Sequence, residues 1–344
     1  MPDGEAARAL PAEVARRLEW LRRAATRLRA AVMAGLRAES AERLAQTVGE
    51  RGGDLVYRLD EHGEEALLAV CAEWGREEPF LLIAEGLDGG QRTFPPGVAP
   101  DTLAFTLIVD PVDGTRGLMY GKRSAWALFG IAPAPRAGFW PSLADITLAL
   151  QAELPTPRAA LADTLWAAAG SGAHGETLDL RDGTVTRFTP RPSGATSLAG
   201  GFGSFVKYFP GIKTRTAAIE EAFFHEVMGP PPESAPQVFD DQYISSGGQL
   251  YELMVGHDRF VADVRPLFAA RGMAASLCAH PYDLCTELIA REAGVVACDP
   301  WGERLRAPLD TESPVAWVGY ASMRLREGLE PALLRALRAE LDAG

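Results

Sequence analysis

Thiols, imidazoles, positive charge and long apolar runs are all scarce in this chain. Among its 344 residues are four cysteines and five histidines. Cys71, Cys278, Cys285 and Cys298 include no CxxC pair, which argues against a zinc knuckle. His62, His174, His225, His257 and His280 show neither HExxH nor any other paired metal spacing. No apolar run approaches the roughly 18 residues of a membrane span. The acidic start, Met1-Pro2-Asp3-Gly4-Glu5, lacks the basic-then-apolar order of a signal peptide, so the expected location is the cytoplasm, with four reduced and mostly buried thiols. Lysine and arginine total 34 against 46 acidic residues, a formal charge of −12. That balance repels a nucleic-acid backbone but leaves room for a small anionic substrate in a locally positive or metal-bearing site. What is present is ordinary globular material, 47% hydrophobic and 23% charged, without repeats or low-complexity tracts. At about 150 residues per domain, the length suits two domains or one large one.

Residues 12–37 read as one amphipathic helix, because Val14, Leu18, Leu21, Ala25, Leu28, Val32 and Leu36 recur at threes and fours. The arginines between them (Arg16, Arg17, Arg22, Arg23, Arg27, Arg29) read as a solvated face rather than a binding patch. Asp54-Leu-Val-Tyr-Arg-Leu-Asp60 reads as a short strand, followed by a helix over 62–76. Phe80-Leu-Leu-Ile-Ala84 and Leu103–Val109 are continuous apolar runs, the pattern of strands buried on both faces. Strand-like runs follow at 124–132, 143–150, 164–169, 184–189 and 197–203. Beyond them come helices at 212–228 and 243–256, a strand at 259–264, a helix at 282–293, strands at 295–298 and 315–320, and a terminal helix from 322. Pro190-Arg-Pro192-Ser-Gly194 is the best candidate boundary between two lobes.

Both buried runs end in a carboxylate, Glu85 and Asp110. A buried strand has little reason to finish on a charge unless that charge sits at an edge, a cap or a ligand site. Pro111 fixes φ and turns the chain, and a tight turn can bring Asp113 to the same point as Asp110. Gly114-Thr115 then opens a short helical segment whose N–H groups suit phosphate. Two carboxylates and a carbonyl form an all-oxygen set, which suits Mg²⁺ rather than zinc. Taken alone, Asp-Pro-Val-Asp also reads as an Asx-Pro turn before a helix cap. Asp283, at the start of Tyr282–Gly294, is a third carboxylate with an equally respectable role as a helix N-terminal acid.

Asp110-Pro-Val-Asp-Gly-Thr115, preceded by its apolar strand, resembles the first signature of the inositol monophosphatase family. That family lies within the lithium-sensitive, magnesium-dependent phosphatases that also include fructose-1,6-bisphosphatase and bisphosphate nucleotidases. Tyr282-Asp283 with Leu288-Ile-Ala-Arg-Glu-Ala-Gly294 resembles its second signature. Glu85, Asp54–Asp60, Ser245-Ser-Gly-Gly-Gln-Leu250 and Arg259–Asp263 follow the family's order, so the resemblance extends over residues 50–320. It implies an α/β fold, a layered αβαβα sandwich of two lobes. Residues 1–192 would hold most metal ligands and 193–344 would contribute Asp283. It implies roughly two or three Mg²⁺ ions, with Mn²⁺ as the alternative. Their ligands would be Glu85, Asp110, the Val112 carbonyl, Asp113 and Asp283. Thr115, with Asp60 behind it and Glu85 beside it, would orient water for in-line attack on a phosphomonoester, while Gly114 and Thr115 amides bind the phosphate. Lithium inhibition is also implied. The partner would be a small phosphorylated metabolite, with no nucleic-acid polymer and no membrane; a homodimer is left open. The competing expectation is a degenerate member that binds phosphorylated ligands without turnover.

The chain departs from the family pattern at Arg116-Gly117-Leu118, at Gly86, and over Pro266–Pro281, where no acid stands just before Asp283. The metal core therefore reads as kept and the substrate wall as changed. Arg116 beside the phosphate amides is expected to meet substrate. Lys207, Lys213 and Arg215 read as surface charges or as contacts to a second phosphate. His280 reads as a loop histidine or, being close to Asp283, as a substrate neighbour. Gly170-Ser-Gly-Ala-His-Gly175 matches GxGxxG, but a strand and turn follow it rather than the helix of a dinucleotide site, so it reads as a β-turn. Asp113-Gly-Thr115 lacks the aspartate two residues earlier that a haloacid-dehalogenase phosphatase needs.

Overall fold

The computed structural model describes residues 10–51, 54–230, 235–273 and 277–342. The acidic start and Ala274–Ser276 of the stretch before Asp283 lie outside them. The chain begins with α1 (Ala12–Ala38), α2 (Ala41–Leu44), the hairpin β1 (Thr47–Arg51) and β2 (Asp54–Tyr57), and α3 (Arg58–Trp74). The first large sheet comprises β3 (Phe80–Ala84), β4 (Gln91–Phe94), β5 (Phe105–Asp113), β6 (Ala125–Pro133), β7 (Leu148–Leu154), β8 (Leu161–Ala168), β9 (Ala173–Asp179) and β10 (Val185–Phe188), with α4 (Thr115–Met119) between β5 and β6. Its order is β10-β9-β8-β7-β6-β5-β3-β4, antiparallel except for the β3/β5 pair. Residues 189–200 form neither helix nor strand and lead to β11 (Gly201–Phe205). After it come α5 (Lys213–Met228), β12 (Val238–Phe239), α6 (Ser246–Met254), β13 (Asp258–Asp263), α7 (Arg265–Ala269), α8 (Glu287–Ala293), β14 (Val296–Cys298), β15 (Trp317–Tyr320) and α9 (Met323–Asp342). The second sheet runs β12-β11-β13-β15-β14.

The layers follow from which face each residue buries. Phe80, Leu82, Phe105, Leu107 and Val109 pack with α1 and α3 on one face of the first sheet. Leu81, Ile83 and Ile108 pack in the other core, with α6, α8 and the second sheet. Strands covered on both sides need apolar residues at every position, hence the continuous runs. Helices α5 and α9 close the outer face of the second sheet. The result is the expected five-layer αβαβα sandwich. Among the described residues no helix is long and apolar enough to cross a membrane.

Several boundaries differ from the sequence reading. The expected strand over 54–60 stops at Tyr57, and Asp60 falls in the first turn of α3. There its carboxylate accepts the Tyr57 N–H at 2.8 Å, a helix-starting bond. The run at 143–150 splits into a 3-10 turn (Leu143–Asp145), opened by Ser142 N–H donating to Asp145, and β7. The helix expected over 282–293 splits into a 3-10 turn (Tyr282–Leu284) and α8. The α1 arginines are not a simple solvated face. Arg17 pairs with Glu78 at 2.5 Å, and Arg22 pairs with Glu176 while lying 4.0 Å over the Trp166 ring. Arg29 donates to the Glu153 and Asp163 carbonyls. These side chains bind α1 to the sheet by their stems and their charge together. All four cysteines are free thiols, three of them buried. The Gly170-to-Gly175 segment forms the β8–β9 connection, and its Gly170 and Gly172 amides hold the protein's own Glu292 carboxylate, at 2.9 Å each.

Candidate active site

Strand β5 does not end at Asp110 but continues through Asp113, with an irregularity in its pairing to β6. Asp110 pairs with Leu128 and Asp113 with Trp126, so three steps on β5 oppose two on β6. Side chains alternate along a regular strand, and an odd spacing would send these two carboxylates to opposite faces. The bulge supplies the extra residue that brings them to one side, where the sequence reading expected a tight turn. Asp110 Oδ1 accepts the Val112 N–H at 2.9 Å, which steadies the bulge. Gly114 follows at φ +96°, and a Cβ there would lie 3.1 Å from the Ser245 Cβ. Glycine is therefore required by both conformation and space.

Asp113 is held from the far side of the molecule. Its Oδ2 accepts from the Ser245 hydroxyl at 2.8 Å and from the Gly247 N–H at 2.6 Å, both at the start of α6. Ser245 also caps that helix by accepting the Gly248 N–H. A Cβ on Gly247 would lie 2.9 Å from Asp113 Oδ2, so the close approach depends on its absence. Asp283 arrives from the turn before α8, its Oδ2 bonded by the His280 N–H at 2.6 Å. One carboxylate oxygen from each of Asp110, Asp113 and Asp283 lies within 4.8 Å of the others.

That proximity has an electrostatic cost. Burial pushes Asp110 well above the usual carboxylate range, and the charges of Glu85, Asp113 and Asp283 push it further. Burial and Asp283 push Asp113 up to about 8, against the hydrogen bonds from Ser245 and Gly247. Two buried acids beside the half-buried Asp283 are unfavourable unless a cation or protons compensate them. Beside them the Thr115 hydroxyl lies 2.7 Å from Asp60 Oδ1 and 2.8 Å from the Val112 carbonyl. Its single proton favours the carboxylate, the stronger acceptor.

These residues line one cleft of about 1040 Å³, counted to its open mouth, together with Glu64, Glu85, Gly114 and Arg116. Glu85 shares the cleft and acts on Asp110 through charge, but stands outside the 4.8 Å triad. Arg116 donates from Nε to the Tyr57 hydroxyl at 3.0 Å. His280 stacks on Tyr282, with ring centroids 5.2 Å apart and an interplanar angle of 9°.

Lys207, Lys213 and Arg215, read as surface charges or as contacts to a second phosphate, do not line the cleft. Lys207 is held by Glu220 at 2.8 Å and Asp240 at 2.6 Å, and Arg215 pairs with Glu340 at 2.7 Å. Lys213 is exposed. Besides Arg116, a basic group that does line the cleft is Arg265, which is 3% exposed. Its Nε and Nη2 bond both oxygens of Asp263, at 2.8 and 2.6 Å, and its Nη1 donates to the Leu277 carbonyl. Tyr208 and Phe209 flank the guanidinium, at 4.9 and 5.6 Å from their ring centroids. Arg265 is invisible in the sequence because it looks like any loop arginine before a proline. Glu64 had a weak signal, being one helical turn after Asp60 on α3.

No family model and no curated protein matches the sequence. Solved structures match in fold. The extragenic suppressor protein SuhB from Bartonella henselae superposes with a TM-score of 0.64 at 15% identity, over 92% of this chain and 98% of that one. The holo fructose-1,6-bisphosphatase of Leishmania major gives 0.64 at 14% identity, over 93% and 94%. The IMPase of Thermotoga maritima gives 0.58 at 15% identity, over 94% and 99%. The chain thus has the inositol monophosphatase-like fold along nearly its whole length.

Proposed function

We propose that this chain is a metal-dependent phosphomonoesterase acting on a small phosphorylated metabolite. The observation that carries the reading is the meeting of Asp110, Asp113 and Asp283 from distant parts of the chain, beside the Thr115–Asp60 hydrogen bond. The donor set fits a hard divalent cation: it is all oxygen, and Asp110 and Asp113 are pushed up by burial and by neighbouring carboxylate charge, which a cation would offset. Asp110, Asp113 and Asp283, with Glu85 and the Val112 carbonyl, would hold Mg²⁺, which when bound lowers the pKa of water and neutralises phosphoryl oxygens.

The protein's own groups do the positioning. Thr115 gives its proton to Asp60, so its oxygen is left to accept one from a water in the cleft. Asp60 is fixed in turn by the Tyr57 N–H. The Gly114 and Thr115 amides would donate to the phosphate, and the Ser245–Gly247 contacts keep Asp113 from turning away. Arg265 offers only donors, so the wall it forms suits an anionic or acceptor-rich group on the substrate. That wall adds to Arg116, which lines the same cleft.

Phosphate release from a panel of phosphomonoesters tests the reading. EDTA should abolish it and Mg²⁺ restore it, whereas Ca²⁺, which prefers more ligands at longer distances, should restore little. Full activity after exhaustive chelation would sink the metal mechanism. Ligand binding without any release would return the chain to a non-catalytic role.

A further inference from the structure

Strand β7 reads Leu148-Ala-Leu-Gln-Ala-Glu-Leu154, and its centre is a glutamine with no exposure at all. An amide in such a place needs a partner for each end. Gln151 Nε2 donates to the Gly247 carbonyl at 2.7 Å, and Oε1 accepts from the Thr286 hydroxyl at 3.0 Å. Because a carbonyl only accepts, Gly247 fixes which end of the amide faces it. Thr286 is likewise fully buried.

The two partners belong to the two segments that deliver the cluster. Gly247 is the residue whose N–H holds Asp113 at 2.6 Å. Thr286 lies three residues beyond Asp283. The contacts on either side fix the Asp283 segment against the first sheet. A Cβ on Gly130 of β6 would lie 3.0 Å from the Cys285 carbonyl, and Glu292 is held by the Gly170 and Gly172 amides. Gln151 adds what those contacts do not, a bond from that segment to α6. A satisfied buried amide contributes little net stability over an apolar side chain of its size, but it specifies geometry.

We propose that Gln151 is a positioning residue that sets the spacing of Asp113 and Asp283, and through it the affinity of the carboxylate cluster for a divalent cation. The proposal rests on the cation-site reading above. It does not depend on which substrate is hydrolysed.

The test uses the full chain stripped of metal, with Mn²⁺ titrated in by calorimetry and thermal unfolding recorded in parallel. Gln151→Met keeps the volume and loses both bonds. Thr286→Val loses only one, so it covers the case in which the first variant fails to fold. Each should weaken Mn²⁺ binding about tenfold or more, as loss of an outer-shell partner does elsewhere. Because both break the same bridge, the double variant should be little weaker than Gln151→Met alone. Thr286→Ser keeps the hydroxyl and should retain wild-type affinity. In turnover assays the half-saturating Mg²⁺ should rise while the substrate KM holds. Mn²⁺ affinity within about twofold of wild type in both variants, whatever happens to the unfolding temperature, would overturn the proposal, as would full additivity in the double variant. Wild-type protein that binds Mn²⁺ but releases no phosphate would refute the phosphatase reading, and the binding ratios would still decide the role of Gln151.

Discussion

Replacing Asp113 by asparagine should stabilise the metal-free protein while removing its hold on the cation. The asparagine oxygen can accept the same two hydrogen bonds, from the Ser245 hydroxyl and the Gly247 N–H. What disappears is a buried acid pushed from an ordinary 3.8 up to about 8, chiefly by burial and next by Asp283. With its folded pKa raised, Asp113 binds its proton more tightly in the folded than in the unfolded chain. Its contribution is therefore most favourable below pH 4 and is lost as pH rises towards 8. Each unit of difference is worth about 1.4 kcal/mol, so the loss between pH 4 and pH 7 is about 4 kcal/mol. Asp110 is also pushed up, by burial and by the charges of Glu85, Asp113 and Asp283, so the two acids titrate together and this is an upper bound. Asparagine does not titrate. In EDTA, the stability of Asp113→Asn minus that of wild type should grow from near zero at pH 4.5 towards that bound at pH 7. Mg²⁺ at a hundredfold excess over its Kd should then stabilise wild type by about 2.7 kcal/mol and the variant by far less. Phosphate release by the variant should fall on the order of 10³-fold. Urea unfolding across pH, with and without Mg²⁺, measures the stability terms. A variant less stable than wild type in EDTA at pH 7, or a difference independent of pH, would refute the electrostatic account.

Two further outcomes concern the chemistry. Thr115→Ala should lower kcat about 100-fold with KM little changed, because the hydroxyl is bonded to Asp60 rather than committed to the ground-state substrate; near-native turnover in steady-state assays would remove Thr115 from the mechanism. Asp263→Leu with Arg265→Met, changed together so that neither buried charge is left unpaired, should lower kcat/KM for a phosphomonoester bearing a second anionic group about tenfold relative to inositol 1-phosphate. Equal losses on both substrates in a side-by-side panel would show that this wall does not select.

Much of the molecule was legible because its signals are short in sequence. The runs 80–84 and 103–109 announced strands buried on both faces, and the structure shows why: over 80–84 and 105–109 the side chains alternate between two separate cores. Asp110-Pro-Val-Asp-Gly-Thr115 could be read as a site because its six residues are covalent neighbours, and the helix α1 because its period is local. The limits of α3 and of the Asp283 turn were misplaced by a few residues because side-chain bonds such as Asp60 to the Tyr57 N–H decide where a helix starts.

What only the tertiary structure decided are the contacts that join residues about a hundred positions apart or more. Nothing in the local pattern says that Ser245 and Gly247 would hold Asp113, or that Gln151 would bridge Gly247 to Thr286. The sequence contained the carboxylates but not the bulge that turns Asp110 and Asp113 to one side, since that depends on pairing with β6. It offered Lys207 as a candidate cation and left Arg265 among ordinary loop arginines. Folding pairs Lys207 with Glu220 and Asp240 away from the cleft and sets Arg265 in its wall, because a charge acts where its three-dimensional neighbours place it.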